Sequence, residues 1–300
     1  MRRFAINVDV DGIALYHRIH GLQEPAGDAD AAWAVGVPRF LDLFEAWGVR
    51  GTFFAVAQDL ERPEARRVAE ELVARGHELA SHSYSHPYDL IHRNAVELEA
   101  ELARAEPVLE AIRGAPVAGF RAPGYNISAP LRALLVARGY TYDSSVFPCP
   151  PYYAARAGVI GALRLVGRRS QSIVGNVGDA FTRTTPWVRP EGLVDLPISV
   201  LPGVRFPLIG TSLTLLGASL ITAMAPALRS LDFANVELHA IDLLDDLDVP
   251  LPALRRAQPD LRVPWRTKLA AFDALLRALA PGAECRTLEE HAVAMRAVRH

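Results

Sequence analysis

Two aspartates flank a valine at Asp9-Val10-Asp11, and two histidines stand four apart in His82-Ser83-Tyr84-Ser85-His86. A further histidine, His239, ends a later apolar run. Carboxylate oxygens and imidazole nitrogens together suit zinc or a similar divalent ion, and three such ligands with an open fourth position make a catalytic rather than a structural site. An additional acid or base beside the ion points to metal-assisted hydrolysis. Two ionised carboxylates this close repel each other unless a cation lies between them. Taken singly, each motif has a plainer meaning. Asp before Gly often closes a strand as a turn, and a lone His-x-x-x-His or a lone His after a strand is commonly a surface or core feature.

These residues need elements to hold them. Residues 4–8 are apolar and partly β-branched, and the pattern stops at Gly12, which reads as a buried strand. Side chains two apart on a strand point the same way, so Asp9 and Asp11 face one pocket from its C-terminal end. His82 and His86 would share a face on a helical turn, following the strand-like 78–80. Helices are expected over 36–47, 63–75, 95–112 (with Pro107 as a kink) and 129–138, and a strand over 51–56. Strands alternating with helices imply a parallel sheet with covering helices. Residues 149–190 break the alternation as an apolar, basic insertion. Residues 206–228 are long enough to cross a bilayer, but their place between strand-like 193–200 and 236–239 favours packing in the core.

The motifs occur in an order that resembles the NodB-type polysaccharide deacetylases. Val8-Asp9-Val10-Asp11-Gly12 is similar to that family's first motif, and residues 76–86, from Gly76-His77 to His86, to its metal-binding motif. Gly119-Phe120-Arg121-Ala122-Pro123-Gly124-Tyr125 is similar to its Arg-x-Pro loop, residues 139–148 to the strand after it, and Val236-Glu237-Leu238-His239 to its last motif. The resemblance implies an α/β fold of irregular (β/α) barrel type, a single catalytic domain over residues 1–300 carrying the 149–190 insertion, and a site at the strands' C-terminal ends. It implies that Asp11, His82 and His86 bind the metal, most simply Zn2+, that Asp9 is the base, and that His239 is the acid that protonates the leaving amine. Arg121 would hold Asp9 ionised. Asp143, Asp195 or Asp242 would orient Arg121 or His239. Pro123, Gly124 and Tyr125 would line the substrate site, with a backbone N–H there for an oxyanion. The Asp-Val-Asp form of the first motif resembles the branch of some peptidoglycan deacetylases and of the deformylase of undecaprenyl-phosphate-linked aminoarabinose. Gly124 stands where the family commonly has Tyr.

Composition excludes several other functions. The 300 residues are half hydrophobic and carry a net charge of −2, which gives no basic field for nucleic acid. Cys149 and Cys285 have neither metal-ligand spacing nor a disulfide framework. Asp9 and Asp11 follow Met1 too closely for a signal-peptide apolar region, so a cytoplasmic protein is expected, with peripheral contact at the inner membrane face. His77 is expected to pack at the start of its strand, His92, His291 and His300 to be surface or terminal residues, and Tyr16, His17 and His20 to lie on a solvated loop. The expected substrate is an N-acylated amino sugar, free or as a glycolipid whose phosphate meets Arg164, Arg168 or Arg169. Residues 150–170 and 206–228 would then form an apolar rim beside the metal. The competing readings are an allantoinase-like cyclic amide hydrolase and a non-enzymatic binding protein of the same fold. A roomy groove favours the sugar, and a small closed pocket the cyclic amide.

Overall fold

The structure is a computed structural model and describes residues 1–24 and 30–298. In chain order its elements are β1 (Arg2–Val10), α1 (Ile13–Ile19), α2 (Val37–Trp47), β2 (Thr52–Ala55), α3 (Pro63–Ala74), β3 (Glu78–Ser81), α4 (Ala95–Arg113), β4 (Gly119–Phe120), α5 (Ala129–Ala137), β5 (Tyr142–Asp143) and α6 (Pro150–Leu165). There follow β6 (Trp187–Val188), β7 (Val194–Asp195), α7 (Gly210–Ala223), α8 (Ala225–Arg229), β8 (Phe233–His239), α9 (Pro252–Ala257), α10 (Trp265–Leu279), β9 (Ala283–Cys285) and α11 (Leu288–Ala297). The strands make one curled sheet in the order β6-β7-β5-β4-β3-β2-β1-β8, with β9 also beside β1. The β6–β7 pair is antiparallel and the other pairs are parallel. This is the irregular (β/α) barrel architecture that the family resemblance implies.

The period of two along the strands divides the molecule. On β1, Phe4, Ile6, Val8 and Val10 face outward into the main core, where Phe40 and Phe44 of α2 and Phe272 of α10 pack. Ala5 faces inward with Phe54, Ala80, Tyr142 and Phe233. Asn7 and Asp9 share that inner face. Polar groups inside a barrel need partners: Asn7 Nδ2 donates to Asn235 Oδ1 at 2.5 Å, and Asn235 Nδ2 donates to Ser144 Oγ at 3.0 Å. The parallel register sets Asp9 directly opposite His239 and brings Ser81 beside Phe120. The strand ends that carry chemistry are therefore neighbours.

Helix ends follow local rules. Asn94 and Glu97 form a reciprocal capping box at the start of α4, and Gly48 closes α2 with φ 63°. α4 runs through Pro107 to Arg113, so that proline does not end the helix. The segment 206–228, expected to pack in the core, is not one continuous helix. Gly217 has φ 73° inside α7, which packs on α10 and β8, and α8 follows as a separate turn. Among the described residues, no helix is long and apolar enough to cross a membrane.

The expectations for His291, Tyr16 and His17 change, and the one for His77 holds. His291 is buried, with Nε2 3.1 Å from the Phe4 carbonyl, because α11 packs across the base of β1 rather than lying at a free surface. His300 lies outside the described residues. Tyr16 and His17 are buried on α1, not on a solvated loop, and His17 Nδ1 sits 3.1 Å from Ile13 O. His77 packs against Phe44 and Phe53 and accepts the Gly51 N–H at 3.1 Å.

Gly119 has no room for a side chain, since a methyl there would fall onto the Tyr142 ring on the neighbouring strand. We expect Gly119→Ala to destabilise the fold by about 1–3 kcal/mol, the usual cost of overpacking. Urea unfolding measures this. An unchanged midpoint would mean that β4 and β5 separate more readily than the register implies.

Candidate active site

The chemistry-bearing residues meet at the C-terminal ends of the parallel strands. Asp9 and Asp11 come from the end of β1, His82 and His86 from the loop after β3, Arg121 from just past β4, and His239 from the end of β8. All but His239 are buried, and His239 is half-buried. Asp11 Oδ1 lies 3.5 Å from His82 Nε2 and 3.3 Å from His86 Nε2. The three offer ligand atoms all within 4.8 Å of one another. Asp11 Oδ1 and both ring nitrogens of His86 are buried without a hydrogen-bond partner among the described residues. Buried polar atoms left unpaired in this way fit a divalent cation between them.

The histidine pair does not use a helical turn. Ser83 and His86 both have positive φ, 68° and 56°, and the loop folds back so that the two rings meet edge to face at 4.8 Å. Glu101 of α4 holds this loop by accepting the N–H groups of Tyr84 and Ser85 at 3.1 and 3.0 Å and the Ser85 hydroxyl at 2.6 Å. His82 Nδ1 donates to the Arg121 carbonyl at 2.7 Å, which leaves Nε2 to face Asp11. Burial and the neighbouring His86 push the His82 pKa down to about 3, so its imidazole is neutral. Burial opposes ionisation of Asp11, but His86, His82 and His239 outweigh it and hold the carboxyl well below the usual range.

Arg121 is fully buried and bonded on every side. Nη1 donates to Asp9 Oδ1 at 2.6 Å, Nε to Ser144 O at 3.0 Å and Nη2 to Ser144 Oγ at 2.8 Å, while its guanidinium carbon lies 4.2 Å from the Phe54 ring centroid. Burial raises the Asp9 pKa in spite of Arg121, which pulls it down. A carboxyl raised toward neutrality is better matched to proton abstraction than an ordinary one.

Of Asp143, Asp195 and Asp242, Asp242 alone touches His239, in a reciprocal cap at the start of the turn after β8, and none of the three touches Arg121. Asp143 accepts from Ser145 N at 3.0 Å and from the Ser145 hydroxyl, and lies 3.8 Å from Arg132. Its carboxylate is thereby used on the strand beside the site. Ser145 Oγ in turn accepts the Ala122 N–H at 2.8 Å, so Asp143 reaches the Arg121 loop only through Ser145. Asp195 pairs with Arg189, and Asp242 accepts the His239 backbone N–H at 2.6 Å.

The partner of the His239 ring is Glu237, which the sequence reading did not single out. Its Oε1 lies 2.9 Å from His239 Nδ1, and Glu237 is fully buried. Burial alone would depress the His239 pKa, but Glu237, with Asp11 and Asp9, holds it well above the usual value. Glu237 could have been found by stepping back two residues from His239 along β8, since i and i+2 share a face. The same step leads from Asp9 to Asn7, and a further one from Glu237 to Asn235.

These groups open into a pocket of about 340 Å3. Gly124 and Tyr125 line it and Pro123 does not, while Tyr16, His20 and Tyr88 add to its wall. Tyr125 N–H is used on Ala122 O at 2.9 Å and Pro123 has none, which leaves the Gly124 N–H as the donor in this loop. Of the expected apolar rim, α6 supplies Tyr152, Ala155, Val159 and Ile160, but 206–228 supplies only Ile209 and Thr211 because α7 turns away onto α10. The arginine in the lining is Arg156; Arg164, Arg168 and Arg169 are not part of it.

A family model for polysaccharide deacetylase matches residues 29–142, a span that holds His82, His86 and Arg121. The peptidoglycan deacetylase of Helicobacter pylori is 29% identical over 154 residues, 50% of this chain and 52% of that protein. The chain thus aligns with about half the length of this curated relative. A candidate polysaccharide deacetylase from Mycobacterium smegmatis superposes with TM-score 0.62 at 18% identity, covering 99% of this chain and 92% of that one. The PuuE allantoinase superposes with TM-score 0.63 at 15% identity, covering 98% and 90%. At such identities the likeness is one of fold.

Replacing Glu237 by Gln removes the charge that favours imidazolium. We expect the His239 titration midpoint, followed by NMR in metal-free protein, to move to lower pH in Glu237→Gln, so that neutral imidazole appears earlier as pH rises. An unmoved midpoint would mean that Asp11 and Asp9 alone set the charge of His239.

Proposed function

We propose that the chain is a NodB-type polysaccharide deacetylase, on the strength of the family-model match over residues 29–142 and the Helicobacter pylori relative, and that it is a metal-dependent hydrolase that removes an N-acyl group, acetyl or formyl, from an amino sugar. The observation that carries the proposal is the convergence of Asp11, His82 and His86 between an Asp9–Arg121 pair and a His239–Glu237 pair. A binding module has no use for two oppositely tuned acid–base groups flanking a ligand set.

In this reading Asp11, His82 and His86 hold the ion, zinc being the simplest choice for two nitrogens and one oxygen. When bound, the ion supplies Lewis-acid polarisation of the scissile carbonyl and of water. Asp9, fixed by Arg121, accepts a proton from the attacking water. His239, kept protonated by Glu237, gives its Nε2 proton to the departing amine. The Gly124 N–H is available to the oxyanion of the tetrahedral intermediate.

Pocket size supports a sugar over a small cyclic amide. About 340 Å3 falls in the range that holds drug-sized ligands. The apolar wall of Val159, Ile160, Ile209 and Ile241 also suits a sugar carried on a lipid, and the exposed Leu165 and Val166 at the end of α6 would then rest against the bilayer surface.

Asp9→Asn and His239→Ala are expected to retain metal and lose activity by about a hundredfold or more, the scale of a general acid or base. His82→Ala is expected to lose the metal itself. Elemental analysis of each protein, with acetate and formate release from N-acyl amino sugars, checks both. Equal metal content in wild type and His82→Ala, or normal turnover by Asp9→Asn, would sink the proposal.

A further inference from the structure

The charges of the pocket are matched, with one exception. Asp9 is paired with Arg121, Asp11 faces His82 and His86, and His239 faces Glu237. Arg156, on α6, lines the same pocket, yet its bonded partners are neutral. Nη1 donates to the Gly124 carbonyl at 2.7 Å, and Nε donates to Ser172 Oγ at 2.8 Å. Among the described residues, no carboxylate lies within ion-pair distance of it. Those two bonds orient the planar guanidinium without neutralising it, and a guanidinium held this way is set for fork-like contact with an oxyanion.

The surroundings favour the same ligand. Ser172 Oγ accepts from Arg156, so its hydroxyl proton remains to be donated. Ser170, whose hydroxyl donates to Ile19 O, accepts the Ser172 N–H at 3.0 Å and so holds this stretch of chain against α1. Gly124 is part of the arrangement as well. It has φ 58°, and a Cβ there would come within 2.6 Å of Arg156 Nη2. The bare backbone at 124 is what lets the guanidinium approach the Arg-x-Pro loop. Arg156 thus takes space that a side chain at position 124 would need.

We infer that Arg156 and Ser172 form an oxyanion-recognition site in the substrate pocket, so that the amino sugar taken by this protein carries a phosphate or a carboxylate beside its N-acyl group. The inference rests on the amide-hydrolase reading for the sugar and on the pocket alone for the anion. It assigns α6 and the chain through Ser172 a specificity role distinct from the strand-end chemistry.

The test uses deacylated sugars, which cannot turn over. Glucosamine, glucosamine 1-phosphate and muramic acid are titrated calorimetrically into the metal-loaded wild type, Arg156→Gln and Arg156→Lys at fixed ionic strength. The wild type is expected to bind one of the two anionic sugars about tenfold or more tightly than glucosamine, the scale of one charge-assisted hydrogen-bonded contact. Which one gains distinguishes phosphate from carboxylate. The anionic-to-neutral ratio should collapse in Arg156→Gln and be partly restored in Arg156→Lys. A uniform loss across all three sugars, or a ratio equal in wild type and Arg156→Gln, overturns the inference. Parallel assays of acetate and formate release from the N-acyl forms separate the two readings. Turnover without anion preference would leave the hydrolase and remove the anion site. Arg156-dependent anion binding without turnover on any N-acyl form would do the reverse.

Discussion

Arg121 is a cation with no access to water, held in the mouth of a barrel whose inner face mixes aromatic side chains with a few buried polar ones. Burying a guanidinium is costly unless its donors are satisfied and a counter-charge is near. Here Asp9 supplies the charge and Ser144 supplies two acceptors, one on its backbone and one on its side chain. Those bonds reach from β4 across to β1 and to the chain after β5, so the ion pair fixes the relative position of three strand ends. The Arg121 carbonyl accepts from His82 and so orients a residue of the ligand set. Breaking a buried pair by removing one partner typically costs 3–5 kcal/mol. The base, one of the candidate metal ligands and the strand register therefore depend on the same contact.

The site separates like groups by their environment. Two imidazoles in one pocket have opposite tendencies: His82, hemmed in by burial and by His86, is neutral, whereas Glu237 outweighs burial at His239. Two carboxylates two residues apart differ as well, Asp9 raised by burial and Asp11 lowered by three histidines. Such divergence between chemically identical groups is what assigns acid, base and ligand roles within a single pocket. Composition and spacing carry none of it, because the charges responsible come from four different strand ends.

The strand-end part of the site was legible because strand periodicity and motif order are local. Asp9-Val10-Asp11 reads correctly as an inward pair, and the alternation of strands and helices up to β5 yields the parallel sheet. Glu237, Asn235 and Asn7 were legible by the same period and were overlooked because polar residues inside apolar runs look like interruptions. The geometry of Ser83 and His86 was not legible, since left-handed backbone at non-glycine residues is stabilised by distant contacts, here Glu101 of α4. Which of Asp143, Asp195 and Asp242 supports the site was not legible for a related reason, with Asp143 as the example. Sequence order placed it near the site, but whether it turns to Arg121 or to Ser145 is decided by packing between β5 and its neighbours.

The two halves of the pocket are built under different constraints. The chemical half is made of short side chains at strand ends, where pleat and register fix direction to within a rotamer. The other half comes from α6 and the chain up to Ser172, where direction depends on how one helix lies against the barrel mouth. Such segments can change length and composition without disturbing strand register, and surface segments on a rigid scaffold are where specificity accumulates. Arg156 joins the halves, since its bond to the Gly124 carbonyl holds α6 to the loop that begins with Arg121. The α6 side of the pocket and the loop that carries Arg121 are therefore tied by a direct bond, so the two differently constrained halves meet at Gly124.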